Sequence, residues 1–373
     1  MSETRTLDRP RGRLTVQPAR RLARSAARAA LAVTWRSLNP DAEGPFVSAP
    51  EGGKYKLERS YYSTDDGWRS PLFRLEARPG TSGEPVVLAH GLGFNRHALD
   101  FRRELSLARA LSEAGFSVFL LEHRADRSAL PPDGGARSFD FDDIAVRDVP
   151  AALAAVRETT GFPRVHWVGH GLGGQLLYAW LAHARGDELA AASALCAPVV
   201  FPQDAGLRAL ERLRFLLPAG LRLPTRAAAV LLSPTASPGR SLLEQLGAHT
   251  VDGDVARGLL LHGSEDLHLG LVQQLWLWHA RGALTDRTGR LEYAEALEGV
   301  QTPVQVLSAM ADSHCRPDQA DPVLNHLAGP TERHVLEGDW GHLDPLLSPR
   351  AQSEVFPRVI AWLNAHRRLA WKD

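Results

Sequence analysis

The chain has 373 residues, 44% of them hydrophobic, which is enough to bury one large core or two smaller ones. Lys plus Arg and Asp plus Glu are both 43, so no global field favours nucleic acid, and no nucleic-acid partner is expected. Cys196 and Cys315 are the two cysteines; a scaffold of this size does not need their single potential disulfide, so a soluble, cytoplasmic setting is expected.

The N-terminal arm, residues 1–50, departs from this balance. Arg5, Arg9, Arg11, Arg13, Arg20, Arg21, Arg24, Arg28 and Arg36 face only Glu3 and Asp8 over residues 1–40. On a helix, Arg20, Arg24 and Arg28 share one face, opposite Leu22, Ala26, Ala29 and Val33. Two readings stand side by side: a loosely docked basic arm, and an amphipathic segment in peripheral contact with an anionic membrane. The apolar stretch "ALAVTW" is too short and too far from the start for a secretory signal. No run reaches the roughly 18–20 apolar residues that span a bilayer.

From residue 51 the pattern is regular. Residues 54–62 and 72–77 read as strands flanking Asp65-Asp66-Gly67, a turn signal, and predict an antiparallel hairpin. Apolar runs at 86–89, 117–121, 164–168 and, more weakly, 190–196 then alternate with helical patterns at 98–114, 142–158 and 172–184. Such alternation predicts a mostly parallel sheet with helices on both faces. Residues 198–302 break it with Pro-punctuated helical pieces such as "LRALERLRFLL" and "LVQQLWLWHA", and show no convincing strand. Strand patterns resume at 303–309 and 333–338, and 351–366 reads as a closing helix. The expected organisation is therefore an α/β core over 51–197 and 303–373, with 198–302 as a helical cap over the strand C-termini.

The stretch "VHWVGHGLGG" (165–174) carries the most chemistry. A strand, a sharp turn with Gly169 and Gly173 at its flanks, and a helix form the nucleophile elbow, whose central residue stands exposed above the sheet. Here that residue is Gly171.

With "VVLAHGLG" (86–93), "FDFDDIAVRDVPAALAAVRETTG" (139–161), "PVQVLSAMAD" (303–312) and "GDWGHLDPLLS" (338–348), the chain resembles the α/β-hydrolase superfamily, and within it the acid-lipase/esterase-like group. The resemblance implies the α/β-hydrolase fold, Asp312 as catalytic acid and His342 as base, in the order nucleophile, acid, base. It implies an oxyanion hole from the backbone N–H groups of Leu92 and Leu172. It also puts Gly171 where the family carries its serine. Asp344 competes with Asp312 as the acid. Cys315, Ser308 and Ser348 are weak substitutes for the nucleophile, and His170 is expected to pack within the turn.

Glycine supplies no atom to attack an ester, and loss of the nucleophile in a well-studied serine protease costs a factor of about 10⁶ in kcat. The leading expectation is a lipase- or esterase-derived protein, impaired in acyl-enzyme hydrolysis, that binds an apolar or ester-like small molecule. One alternative is an active hydrolase, lyase or isomerase with His342, oriented by Asp312, as general base. Another is a non-catalytic interaction protein. Leu271, Leu275, Trp276, Leu277 and Trp278 suit an apolar ligand, or else pack the cap on the core. His262, Glu265, Asp266 and His268 read more simply as a helix start than as a metal cluster, so no metal and no cofactor is expected.

Overall fold

The computed structural model describes residues 56–76, 83–134, 138–213, 216–218, 220–232 and 247–367. The basic arm lies outside them. Strands β1 (Lys56–Ser63) and β2 (Arg69–Glu76) pair antiparallel with Ser63 opposite Arg69. Gly67 closes their turn at φ 88°, a left-handed conformation that glycine adopts without cost from a side chain. The predicted hairpin is therefore present.

Five buried residues form each of β3 (Pro85–Ala89) and β4 (Ser117–Leu121), and β5 (Val165–His170) is likewise buried throughout. Continuous burial means that both faces of the sheet are covered. With β6 (Leu189–Leu195), β7 (Val304–Ala309) and β8 (Thr331–Leu336) they complete an eight-stranded sheet of order β1-β2-β4-β3-β5-β6-β7-β8. The pairings from β4 through β8 are parallel, and β2 joins β4 antiparallel.

The helices between strands are α1 (Leu107–Glu113), α2 (Val149–Thr160) and α3 (Leu172–Ala184). The helix expected over 98–114 is shorter than its pattern. A 3-10 turn at Arg96–Ala98 and two short strands, Asp100–Arg102 and Leu105–Ser106, come first. Asp100 Oδ1 accepts from Ser106 Oγ at 2.7 Å and from Arg109 Nε at 3.1 Å. Ser106 Oγ in turn caps α1 by accepting from the Arg109 N–H at 2.9 Å. These side-chain bonds hold a turn where propensity alone continues the helix.

Residues 198–302 run from the end of β6 to the start of β7 and contain α4 (Ala205–Leu213), α5 (Thr225–Leu232) and α6 (Leu269–Arg281). They also contain strand, against expectation: Arg222–Leu223 pairs antiparallel with Leu267–His268. A two-residue pairing is too short to leave a periodic signal. Trp278 of α6 packs edge-on against Phe141 at 4.9 Å and donates its Nε1–H to the Thr285 carbonyl at 2.8 Å. It belongs to the core. The closing helix is split into Ala351–Glu354 and α7 (Phe356–Ala365), with Pro357, which has no N–H to continue the ladder, at the start of α7. No described helix is long and apolar enough to cross a membrane.

One buried ionic network joins the hairpin turn to the sheet. Arg124, just past β4, bonds Asp148 Oδ1 through Nε at 2.7 Å and Asp66 Oδ2 through Nη1 at 2.6 Å. Its own backbone N–H donates to Asp148 Oδ2 at 2.7 Å. Burial pushes Asp148 up to about 6 against the pull of Arg124, and both partners are charged at neutral pH.

Candidate active site

The turn after β5 is built by contacts that only glycine permits. A Cβ on Gly169 would stand 2.2 Å from the Gly173 carbonyl oxygen, and one on Gly173 would stand 2.2 Å from that of Ala89. Strand and helix can approach this closely because neither residue has a side chain. Gly171 sits between them at φ 52° and ψ −115°, in backbone space that L-residues rarely occupy. Its N–H is held by the Leu195 carbonyl at 2.9 Å. Gly171 is therefore displayed above the sheet.

His342 reaches the same point from the loop after β8. Its Nδ1 lies 2.8 Å from Asp312 Oδ2, and a Cβ placed on Gly171 would lie 3.2 Å from its Nε2. Asp312 follows β7 and is completely buried. Burial alone would raise its pKa, but the His342 ring and the N–H groups of His314 and Cys315 hold it at about 2. Its Oδ1 accepts those two N–H bonds at 2.7 and 3.0 Å. The Asp312 carboxylate thus holds Nδ1, and Nε2 is the ring nitrogen that faces Gly171.

Asp344, the rival acid, is occupied elsewhere. Its carboxylate accepts from the backbone N–H groups of Gly341, His249 and Thr250 at 2.7, 3.2 and 3.0 Å. It clamps the His342 loop to residues 247–250, and Leu343 N–H adds a bond to the Gly247 carbonyl at 2.9 Å. Gly247 comes so near that a Cβ there would stand 2.5 Å from the Cβ of His342. Nothing in the local pattern around 247–250 signals this support, because it acts through the backbone.

Above Gly171 opens a cavity of about 580 Å³, bordered by Leu92, His170, Gly171, Leu172 and His342. Leu172 is the first residue of α3, so its N–H has no acceptor within the helix. Phe201, Leu260 and Leu275 bring the 198–302 segment into the wall, while Trp276 and Trp278 do not border the cavity. Glu265 is the charged group of the wall; it accepts from Asn95 Nδ2 at 2.7 Å, and burial pushes its carboxyl up. The other residues of the 262–268 stretch turn to separate partners: Asp266 caps the Arg226 N–H at 3.1 Å and His268 stacks on Phe139 at 4.3 Å.

The alternative nucleophiles stay outside. Cys315 is buried away from the cavity, Ser308 Oγ donates to Asp321 Oδ1 at 3.2 Å, and Ser348 is buried beside Arg350. His170, expected to pack within the turn, is buried there and also borders the cavity. Its Nε2 bonds the His342 carbonyl at 2.8 Å, and its buried Nδ1 has no hydrogen-bond partner. Burial, then the neighbouring His342, lowers its pKa to about 3, so the ring is neutral. Among the described residues, one set has the spacing to hold a metal ion: His170, Cys196 and His342.

Strand order, the turn at Gly171 and the Asp312–His342 pair together describe a known architecture. Residues 84–349 match the alpha/beta hydrolase fold family, and the chain belongs to that family. The chain is similar to Lipase 1 of Drosophila melanogaster, 28% identical over 163 residues, covering 40% of this chain and 35% of that protein. It is also similar to the gastric triacylglycerol lipase of Homo sapiens, 32% identical over 133 residues, covering 32% of this chain and 33% of the relative. These matches span about a third of the relatives' length. Among solved structures, the carboxylesterase CesB of Bacillus subtilis aligns with 92% of this chain and 99% of its own, at a TM-score of 0.54 and 15% identity. A monoacylglycerol lipase of Paleococcus ferrophilus aligns with 84% and 100%, at a TM-score of 0.55 and 17% identity. At these identities the likeness is one of fold.

Proposed function

We propose that the protein binds an apolar, ester-like small molecule in the cavity above Gly171, and that Gly171 stands in place of a nucleophilic serine, so that no acyl-enzyme forms. The observation that carries this reading is the distance from the Gly171 Cβ position to His342 Nε2, 3.2 Å, with Nδ1 of the same ring bonded to Asp312. A serine Oγ there would be within hydrogen-bond reach of the base. Acid and base are thus in place with no atom between them and the ligand. Residues 198–302 act as the cap, contributing apolar wall through Phe201, Leu260 and Leu275. The backbone N–H groups of Leu92 and Leu172 polarise the ligand's carbonyl. Lipase relatives support an ester-like ligand.

The test is a pair of proteins. Wild type should take no stoichiometric adduct from a fluorophosphonate probe, whereas Gly171→Ser should be labelled at residue 171 and hydrolyse p-nitrophenyl esters. That activity should vanish in Gly171→Ser/His342→Ala. An adduct on wild type would reveal a displaced nucleophile. A folded Gly171→Ser protein without His342-dependent hydrolysis would show that the remaining residues are not a preserved triad.

A further inference from the structure

We propose that His170, Cys196 and His342 form a binding site for a zinc-class divalent cation, whose fourth position opens into the cavity where a serine side chain would otherwise stand. Their ligand atoms all lie within 4.8 Å of one another. A tetrahedral ion with bonds of about 2.0–2.3 Å sets its ligands about 3.3–3.6 Å apart, so the closure required is small side-chain rotation.

Three features point to a cation. First, each imidazole has one nitrogen anchored and one left over: His342 Nδ1 is held by Asp312 at 2.8 Å, and His170 Nε2 by the His342 carbonyl at 2.8 Å. Metal-ligating histidines are oriented in this way, by a carboxylate or a carbonyl on the outer nitrogen. Second, His170 Nδ1 is a buried polar atom without a partner, in a residue that is 1% exposed and borders the cavity. Such an atom is costly unless something at the site satisfies it. Third, Cys196 follows β6 at φ 49°, a rare backbone conformation for a residue with a side chain. The structure therefore holds this thiol against backbone strain, at the tip of the strand beside Gly171.

The charges agree. A thiolate at Cys196 and the ionised Asp312 behind His342 together neutralise a divalent ion. Burial, then the Asp312 carboxylate that hydrogen-bonds it, keeps the Cys196 thiol protonated, and coordination would exchange that bond for the ion and release the proton to solvent. Gly171 matters here as well, because a serine Oγ would compete for Nε2 as its hydrogen-bond partner.

The consequence for chemistry rests on the proposed function only in taking the cavity as the ligand site. A water in the fourth position would lose a proton to solvent, and the hydroxide would add to an ester carbonyl carbon. The C–O bond to the alcohol then breaks, and the departing alkoxide takes the proton of the added hydroxyl, leaving carboxylate and alcohol. While His342 Nε2 is a ligand it cannot act as general base.

The experiment is titration of chelator-treated protein with Co²⁺ alone, followed by absorbance and direct metal analysis. One ion per chain is expected, with intense tetrahedral d–d bands and a thiolate-to-metal charge-transfer band. Cys196→Ser should lose the charge-transfer band, His170→Ala and His342→Gln should lose stoichiometric binding, and Cys315→Ser should keep all three signals. His342→Gln is included because that side chain is 17% exposed and its replacement leaves the core filled. Asp312→Asn should weaken binding by about 10–100-fold through loss of outer-nitrogen support. Absence of a stoichiometric ion in wild type, or binding that survives Cys196→Ser and His342→Gln unchanged, overturns the site. The readout needs no substrate, so a failed titration leaves ligand binding in the cavity standing.

Discussion

Two of the buried ion pairs among the described residues are built from similar parts and left in opposite states. In the Arg124–Asp148–Asp66 network, Asp148 receives both side-chain and backbone N–H groups of Arg124, and Asp66 takes the far end of the guanidinium. None of the three borders the cavity above Gly171. In the Asp312–His342 pair the carboxylate is equally saturated, by one ring nitrogen and two backbone N–H groups, but the far nitrogen of the imidazole ends at Gly171 and open space. Saturation at both ends marks a network that fixes the fold. Saturation at one end marks a group positioned to act on something else.

If that contrast is right, breaking the closed network should cost most. Asp148→Ala leaves Arg124 charged, buried and half-paired, and should lower stability by about 3–5 kcal/mol, read from denaturant unfolding. A loss under about 1 kcal/mol would show that the network is incidental. The two carboxylates should also respond to acid with opposite signs. Asp312, at about 2, lies below its unfolded value near 3.8; its contribution is present above pH 3.8 and lost as pH falls toward 2, on the order of 2 kcal/mol. Asp148, at about 6, lies above its unfolded value, so falling pH from 6 to 3.8 relieves part of its burial cost instead. Stability curves of metal-free wild type and Asp312→Asn should therefore converge below pH 3.8. Parallel curves down to pH 2 would contradict the Asp312 assignment.

His342→Ala should cost less than Asp148→Ala, about 1.5 kcal/mol, because Asp312 keeps two N–H donors and the gap opens to the cavity. A cost equal to that of Asp148→Ala would erase the distinction between the centres. The smallest effect is expected from Gly171→Ala. A Cβ at φ 52° is strained and stands 3.2 Å from Nε2, so thermal melting should report a loss of about 1 kcal/mol. A stabilised variant would mean that the turn relaxes, and the displayed geometry of residue 171 would have to be abandoned.

How much of this was legible in the sequence follows from the range of each interaction. Periodicity of two and of 3.6 residues is local, so the hairpin, the buried runs and α2, α3 and α6 could be read from it. The break at residue 99 could not, because Asp100 reaches across to Ser106 and Arg109 by side-chain bonds that compete with the helix. The short pairing of Arg222–Leu223 with Leu267–His268 joins segments some forty residues apart and was equally invisible. For the site, Gly169 and Gly173 were legible because strand and helix approach too closely there for a side chain, and Gly171 was legible as the residue displayed between them. Asp312 and His342 followed from their place after β7 and β8 and from resemblance.

Left to itself, the sequence determined the sheet, its crossing helices and the residues delivered to the ends of its strands, since each of these depends on neighbours within a turn or two. The tertiary structure alone decided what those ends do to one another. It put Asp344 under the His342 loop as a clamp and left Asp312 for the ring. It brought Gly247 to the back of His342 and Cys196 to the side of His170, and it left His170 Nδ1 without a partner. The physical reason is the same in each case: hydrogen bonds and close approaches act over about 3 Å, and no pattern along the chain records which distant residues will come within that distance.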